Sequence, residues 1–201
     1  MGRTSDARER LIDTAVGLIR ARSYASVSVD DLCRGAGVRK GSFYHFFPSK
    51  RDLALAALDA WWETTRSEVL EPAFQPDVPP LQRIQRAFQR AAGQQSRNKE
   101  RAGNVQGCPF GNLALELSSQ DEVIRQRLQG AFGRFAGYFE RALAEASTAG
   151  QLPPGTDVPA AAQALLAYLY GMILLAKTAD DVGVMERLGP LALRLVTAPD
   201  A

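Results

Sequence analysis

Apolar residues recur at helical spacing along nearly the whole chain, and no segment of comparable length alternates as a half-buried strand would. That pattern confines the fold to an all-α class. Leu11, Ile12, Ala15, Val16 and Ile19 form one stripe, with Asp13, Arg20 and Arg22 on the opposite side, which predicts a first helix over about residues 5–23. Ser28 then precedes VDDLCRGAG. A hydroxyl N-cap followed by two acids suits the positive end of a short second helix, and Gly37 ends it. A third helix begins near Arg39, and Pro48 and Ser49 separate it from a fourth that runs from Lys50 to about residue 70. Pro72, Pro76, Pro79 and Pro80 form a connection into further helices at 81–96, 110–117, 121–148, 159–178 and 184–196, about nine helices in all.

The stretch SVDDLCRGAGVRKGSFYHFF has the requirements of a helix-turn-helix: two short helices at a steep angle, the second free to enter a DNA major groove. Val29, Leu32 and Cys33 point inward, Ala36 and Gly37 make the turn, and Val38 and Phe43 anchor the second helix. Arg39, Lys40, Gly41, Ser42, Tyr44 and His45 are left on its outer face. Arg39 and Lys40 suit guanine edges or phosphates, Ser42 a base or phosphate, and Gly41 permits close backbone approach. Tyr44, His45 and Lys50 are placed as phosphate clamps, and Ser28, which caps the supporting helix, is counted with them among the DNA-binding residues. Residues 1–51 hold ten Lys/Arg against five Asp/Glu, so this end carries +5 and the remainder −3, within an overall +2. By spacing alone, a solvated basic face with two packing aromatics remains open.

AGVRKGSFYHFFPSKRDLALAAL closely resembles the helix-turn-helix signature of TetR-family repressors. The likeness spans about residues 8–58, from ARERLIDTAVGLI through Tyr24, Ser28, the Ala-Gly-Val turn and the Pro-Ser-Lys start of the fourth helix. It implies a three-helix DNA-binding domain over 1–53 and a larger helical-bundle domain for ligand sensing and dimerisation over 54–201. It also implies a homodimer on palindromic double-stranded operator DNA. Cys33 stands where the family commonly has alanine, and Arg39 where a small hydroxyl residue is frequent. The first reads as a buried small hydrophobe, and the second should alter which operator is read.

Residues 160–176 are apolar nearly all round, with Gln163 the one strongly polar member. Such a helix needs burial on most sides. A membrane span is the competing explanation, weakened by the alanines, two tyrosines and a glycine, so no membrane partner is expected. In the resembled family the last two helices form a four-helix interface with the partner subunit. That implies a dimer face over Leu165, Tyr168, Leu169, Met172, Leu188, Leu191 and Leu195, with Pro190 a possible kink. The alternative is plain intramolecular core. Trp62, Phe88, Phe110, Phe135 and Tyr138 either line a pocket for an apolar or flat inducer of unspecified identity or serve as core.

In QGCPFGNLALELS, Pro109 suits the first turn of a helix capped by Cys108, where the positive helix end favours a thiolate. The segment resembles the GC-x-x-GNLA-E stretch of electrophile- and hypochlorite-responsive TetR-type repressors. That resemblance implies a sensing role for Cys108, with Lys177 at the place of a lysine able to trap an oxidised sulfur. The alternative is an inert packed cysteine and a surface lysine, in a repressor that answers a drug-like ligand and controls an efflux gene.

Two cysteines and one histidine cannot supply a metal quartet, and no cofactor is expected. The lone histidine sits in the reading helix and no nucleophile–base pair is visible in the second half, which argues against an enzyme or carrier with an incidental helix-turn-helix. The polar opening MGRTSDARER offers no export signal, so a cytoplasmic protein is expected.

Overall fold

A computed structural model describes residues 3–197, with side chains from Asp6 onward. Among the described residues there are helices and connections and no strand. The helices are α1 (Arg3–Ala21), α2 (Val29–Ala36), α3 (Lys40–Phe46), α4 (Lys50–Thr65), α5 (Glu71–Ala73), α6 (Pro80–Ala102), α7 (Pro109–Leu117), α8 (Glu122–Thr148), α9 (Val158–Ala179), α10 (Gly183–Leu188) and α11 (Arg194–Thr197). A π-helical turn, Arg66–Leu70, joins α4 to α5, and a 3-10 turn, Gly189–Leu191, follows α10.

Most boundaries fall where a cap dictates. Asp157 and Asp121 accept backbone N–H groups at the starts of α9 and α8. The sixth helix outlasts the expected residue 96 because nothing breaks it before Gly103, whose φ of +83° suits the left-handed C-cap. The expected single helix over 184–196 is two pieces: Pro190 has no N–H for the ladder, and the chain tightens into the 3-10 turn around it. The fourth helix is likewise continuous only to Thr65, where it widens into the π turn.

The chain forms two compact units. One comprises the described residues up to Glu63 together with Cys108–Gln129; the other comprises Thr64–Gly107 and Gly130 onward. The units therefore do not part at 53/54, the boundary expected from the sequence. Helix α4 carries the first unit ten residues further, and α7 with the start of α8 belongs to it too, held by hydrogen bonds between residues about ninety positions apart.

In the first unit Leu11, Ile19, Leu32, Phe43, Leu53 and Leu58 are all but inaccessible, and α1 and α2 approach closely: a Cβ on Gly35 would lie 2.7 Å from Thr14 Cγ2. In the second unit the core gathers Ile84, Phe88, Phe139, Leu143, Leu165 and Met172 around α6, α8 and α9. Helix α9 is long and apolar enough to cross a membrane by composition, with mean hydropathy 1.7. Its Ala162, Leu165, Leu169, Met172 and Ala176 are buried within the chain. This corrects part of the expected dimer face, because Leu165 and Met172, at 0% and 1% exposure, have no surface to offer a partner, while Leu169 keeps 8%. Tyr168 is half-buried and donates its hydroxyl to the backbone carbonyl of Leu188, itself half-buried, at 2.9 Å. Leu191 and Leu195 are exposed as expected, and the outward leucines of α9 are Leu174 and Leu175.

Candidate nucleic-acid interface

Helix α2 starts with a reciprocal cap. The Asp31 N–H donates to Ser28 Oγ at 3.1 Å, and the Ser28 N–H donates to Asp31 Oδ2 at 3.0 Å. The two bonds from Ser28, side chain first, hold the Asp31 carboxyl below its usual range. Ser28 is thus a structural cap, its hydroxyl already committed to Asp31. At the other end Gly37 has φ +62° and its N–H returns to the α2 carbonyls, which turns the chain sharply into α3.

Helix α3 is seated by Phe43, fully buried, against Tyr44 and Phe47 at ring separations of 5.1 and 6.2 Å. Arg39 occupies its N-cap position with no side-chain capping bond, so its guanidinium is exposed rather than spent on the helix. Lys40, Gly41, Tyr44 and His45 are exposed and Ser42 is half-exposed. Lys40 Nζ lies 3.0 Å from Asp30 on the facing helix, and both groups are exposed, a pairing that a DNA phosphate can displace. No atom lies within 4 Å of a Cβ built on Gly41, so that side of α3 is open.

Lys50 is corrected. The sequence predicts an outward phosphate clamp, but its Nζ donates to the carbonyls of Tyr24 at 2.8 Å and Val27 at 2.9 Å and sits 3.9 Å from the centre of the Tyr24 ring. Burial pushes its pKa down, opposed by Glu116. The side chain is a staple across the loop between α1 and α2: it gives a second donor to the Tyr24 carbonyl, which already accepts the Val27 N–H at 3.2 Å, and a donor to the Val27 carbonyl.

That loop is gripped from its other side by α7. Glu116 accepts from Ser23 Oγ at 2.6 Å and from the N–H groups of Tyr24 and Ala25 at 2.7 Å each. Burial alone would raise the Glu116 pKa, but these three donors lower it on balance. One helical turn earlier, Asn112 Nδ2 donates to the carbonyls of Ile19 and Arg20 at the end of α1, at 3.1 and 3.2 Å. Arg127 of α8 reaches Asp59 of α4 at 2.6 Å. Sequence reasoning assigns Asn112 and Glu116 no role beyond being letters of a motif. The signal that marks them is a pair of polar residues four apart on an otherwise apolar helix, which on α7 share one face.

Cys108 is the N-cap residue of α7, with Pro109 following, and is 8% exposed. Within its unit an electrostatic interaction links it to the buried Arg20, whose own pKa is lowered by burial against that interaction. Arg20 also stacks over Trp61 at 4.8 Å. Lys177 is exposed on α9 and belongs to the second unit. Cys33 is buried, and burial pushes its thiol up, as a small core residue requires.

The expected pocket aromatics divide between the units. Trp62 and Phe110 are buried in the first; Phe88, Phe135 and Tyr138 are in the second. Phe88 packs on Phe139 at 5.9 Å, while Tyr138 meets Phe74 at 5.2 Å beside a cleft of about 340 Å³ that Arg83, Arg141 and Glu145 also line. Among the described residues no cluster of His, Cys, Asp and Glu is suited to a metal ion.

Residues 11–57 match the family of bacterial regulatory proteins of the tetR type, and residues 80–189 match the tetracyclin repressor-like C-terminal domain. The chain is 33% identical to the transcriptional regulator AcuR of Cereibacter sphaeroides over 172 residues, covering 85% of this chain and 76% of that one. It is 29% identical to the transcriptional repressor DhaR of a Mycobacterium species over 180 residues, covering 88% and 85%. A TetR regulatory protein of Rhodobacter sphaeroides superposes with a TM-score of 0.83 at 29% identity, over 95% of this chain and 99% of that one. The reduced form of Escherichia coli NemR shares the fold, with a TM-score of 0.81 at 24% identity over 98% and 100%. With both segments matched and AcuR, at 33% identity, covered over three quarters of its length, the chain belongs to the TetR family of DNA-binding transcriptional regulators.

Proposed function

We propose that this protein is a cytoplasmic repressor, not an enzyme, that grips a palindromic operator as a homodimer and lets go when its second unit takes up an inducer or when Cys108 is modified. The observation that carries the DNA-holding part is α3 itself. It is anchored by one buried phenylalanine, and it leaves Arg39, Lys40, Ser42, Tyr44 and His45 outward on a helix whose far side is open at Gly41. Arg39 and Lys40 supply base-edge or phosphate donors, and Tyr44 and His45 supply phosphate contacts.

The dimer reading rests on exposed leucines. Leu174 and Leu175 of α9 and Leu191 and Leu195 near the C-terminus together present apolar surface that a second copy would cover. A mobility-shift experiment with promoter-proximal DNA tests the reading head. The parent should retard such a fragment, and Arg39→Ala and Tyr44→Ala should each weaken retention; variants that bind every fragment as the parent does would overturn the assignment.

The thiol trigger has its own support. Cys108 opens the one helix whose Asn112 and Glu116 clamp the segment leading into α2, so a group added to the sulfur acts where the reading head is held. Arg20, in the same unit, interacts electrostatically with Cys108. The alternative trigger, a drug-like inducer with Cys108 inert, predicts that Cys108→Ser responds to the same compounds as the parent.

A further inference from the structure

The buried stripe of α6 changes chemistry part-way along its length. Ile84, Ala87, Phe88 and Ala91 bury hydrocarbon. The positions that continue the stripe toward the C-terminus are Gln94, Gln95 and Asn98. At about 100° per residue, Asn98 falls between the two glutamines on the helix surface, so the three amides share one arc. Gln94 and Gln95 are 5% and 3% exposed. Gln95 Nε2 donates to the Gly107 carbonyl at 3.3 Å, while its Oε1, together with Gln94 Nε2 and Asn98 Nδ2, meets no hydrogen-bond partner among the described residues.

A fourth such atom is Thr65 Oγ1, also buried, at the junction of α4 and the π turn. That turn is fastened onto α6: Arg97 Nη2 donates to Glu68 Oε2 at 3.0 Å and Arg90 Nη1 to the Glu68 carbonyl at 3.1 Å. Single π turns inside helices recur at functional positions, because the widened ladder re-aims side chains toward a ligand.

Buried polar atoms are almost always paired, since water is lost without replacement otherwise. A helix that needed only a core at these positions would carry leucine or alanine, as α6 does two turns earlier. We propose that Gln94, Gln95 and Asn98, with Thr65 from the packed π turn, form a hydrogen-bonding wall for a small neutral molecule bearing a carbonyl together with an N–H or O–H, as a lactam or carboxamide does. The amide N–H groups of Gln94 and Asn98 donate to the carbonyl, and Gln95 Oε1 accepts the ligand's own donor. Neutrality follows from the charges nearby. Arg90 and Arg97 are turned to Glu68, and Lys99 to Asp180 at 3.3 Å, so a buried carboxylate would have to break one of these pairs to offset its desolvation, which a neutral ligand need not do. The inference rests on the reading of the second unit as the ligand-sensing part.

Calorimetric titration of the full chain with 2-pyrrolidinone, cyclopentanone and cyclopentanecarboxylate tests it. The lactam should bind about tenfold more tightly than the ketone, which lacks the donor, and the carboxylate more weakly than either. Gln94→Met should lower lactam affinity about tenfold, yet melt at or above the parent's temperature, because an unsatisfied donor has been replaced by hydrocarbon. A second measurement does not depend on the variant folding: the side-chain amide resonances of Gln94 and Asn98 in the parent should shift on adding lactam.

Equal affinity for lactam and ketone, no binding of either, unchanged affinity in a folded Gln94→Met, or unmoved amide resonances would each overturn the site. Operator binding separates this from the wider reading. If lactam binds at Gln94 but never affects operator retention, the site stands and induction through it falls; if a compound releases parent and Gln94→Met equally, induction stands and the site falls.

Discussion

The Glu116 carboxylate on α7 receives the backbone N–H of Tyr24 at 2.7 Å, across ninety-two positions of sequence. Tyr24 in turn offers its carbonyl to Lys50 Nζ at 2.8 Å and its ring to the same ammonium at 3.9 Å. The loop before α2 is thus held between α7 and α4, with Ser28 and its cap immediately beyond. Burial, and then the charge of Asp121, push the Tyr24 hydroxyl up to about 12, so it stays protonated and adds no charge beneath the DNA-facing helices. Ser26 and Val27, which lie between the gripped residues and the cap, donate back to the Ser23 and Tyr24 carbonyls, so movement of α7 reaches the start of α2 through a hydrogen-bonded turn.

Removing the carboxylate tests that grip. Glu116→Ala should cost about 2–3 kcal/mol, since it strands two backbone donors and a hydroxyl, and Glu116→Gln about half as much, since one acceptor oxygen remains. Because the folded carboxyl titrates below its ordinary value of 4.5, its contribution is complete at neutral pH. It declines as the pH falls below about 4.5, where the unfolded chain gains a proton first, and is lost once the folded carboxyl is protonated too. Denaturant melts of parent and Glu116→Gln between pH 7 and pH 3 should therefore converge toward the acid end; curves that stay parallel would show that Glu116 contributes nothing as an anion.

Salt dependence distinguishes a staple from a clamp. Arg39→Ala or Lys40→Ala should reduce the slope of log affinity against log salt by about 0.9 for each phosphate that the variant no longer neutralises. Lys50→Met should weaken operator binding and cost about 1–2 kcal/mol of stability, because the Val27 carbonyl loses the ammonium and the Tyr24 carbonyl keeps only the Val27 N–H, yet leave that slope unchanged. A slope lowered by Lys50→Met would mean that the ammonium leaves Tyr24 and Val27 for a phosphate when DNA arrives.

The parts of the reading head legible in the sequence are those set by local chemistry. Ser28 with Asp31, the glycine at 37, Phe43 as anchor and the outward run on α3 all follow from spacing within a few residues. The role of Lys50 is not legible in this way because it depends on two carbonyls more than twenty positions away, which no local pattern marks as its acceptors. The same limit hides α7 in the second half of the chain: the partners that tie Asn112 and Glu116 to α1 and its loop lie in residues 19–25, about ninety positions away. The apolar pattern of α9 predicts burial on most sides, whereas within the chain one stripe from Ala162 to Ala176 is buried and Leu174 and Leu175 are exposed; a helix apolar all round does not declare which side meets its own core.

The turn itself is open to a clean test. Gly37 holds φ +62° with no atom within 4 Å of where a Cβ would stand, so substitution there meets backbone strain without a clash. Gly37→Ala should cost about 1–2 kcal/mol and Gly37→Asn less, as asparagine tolerates the left-handed region better. Equal losses for the two in thermal melts would point to a steric neighbour instead.

Thiol chemistry at α7 makes the sharpest claim about regulation. Addition of Cys108 across the double bond of N-ethylmaleimide forms one carbon–sulfur bond and delivers the thiol proton to the adjacent carbon, with nothing released. A succinimide at the helix cap, a position only 8% exposed, cannot fit without displacing the first turn of α7, and Asn112 lies in the next turn with its bonds to α1. Operator affinity of the parent should fall at least about tenfold on stoichiometric labelling, and Cys33→Ser should behave alike, its own thiol being pushed up by burial. Cys108→Ser should bind operator as the parent does and ignore the reagent. If the serine variant is released as efficiently, the modified residue lies elsewhere and the α7 clamp is not the route by which electrophiles reach the reading head.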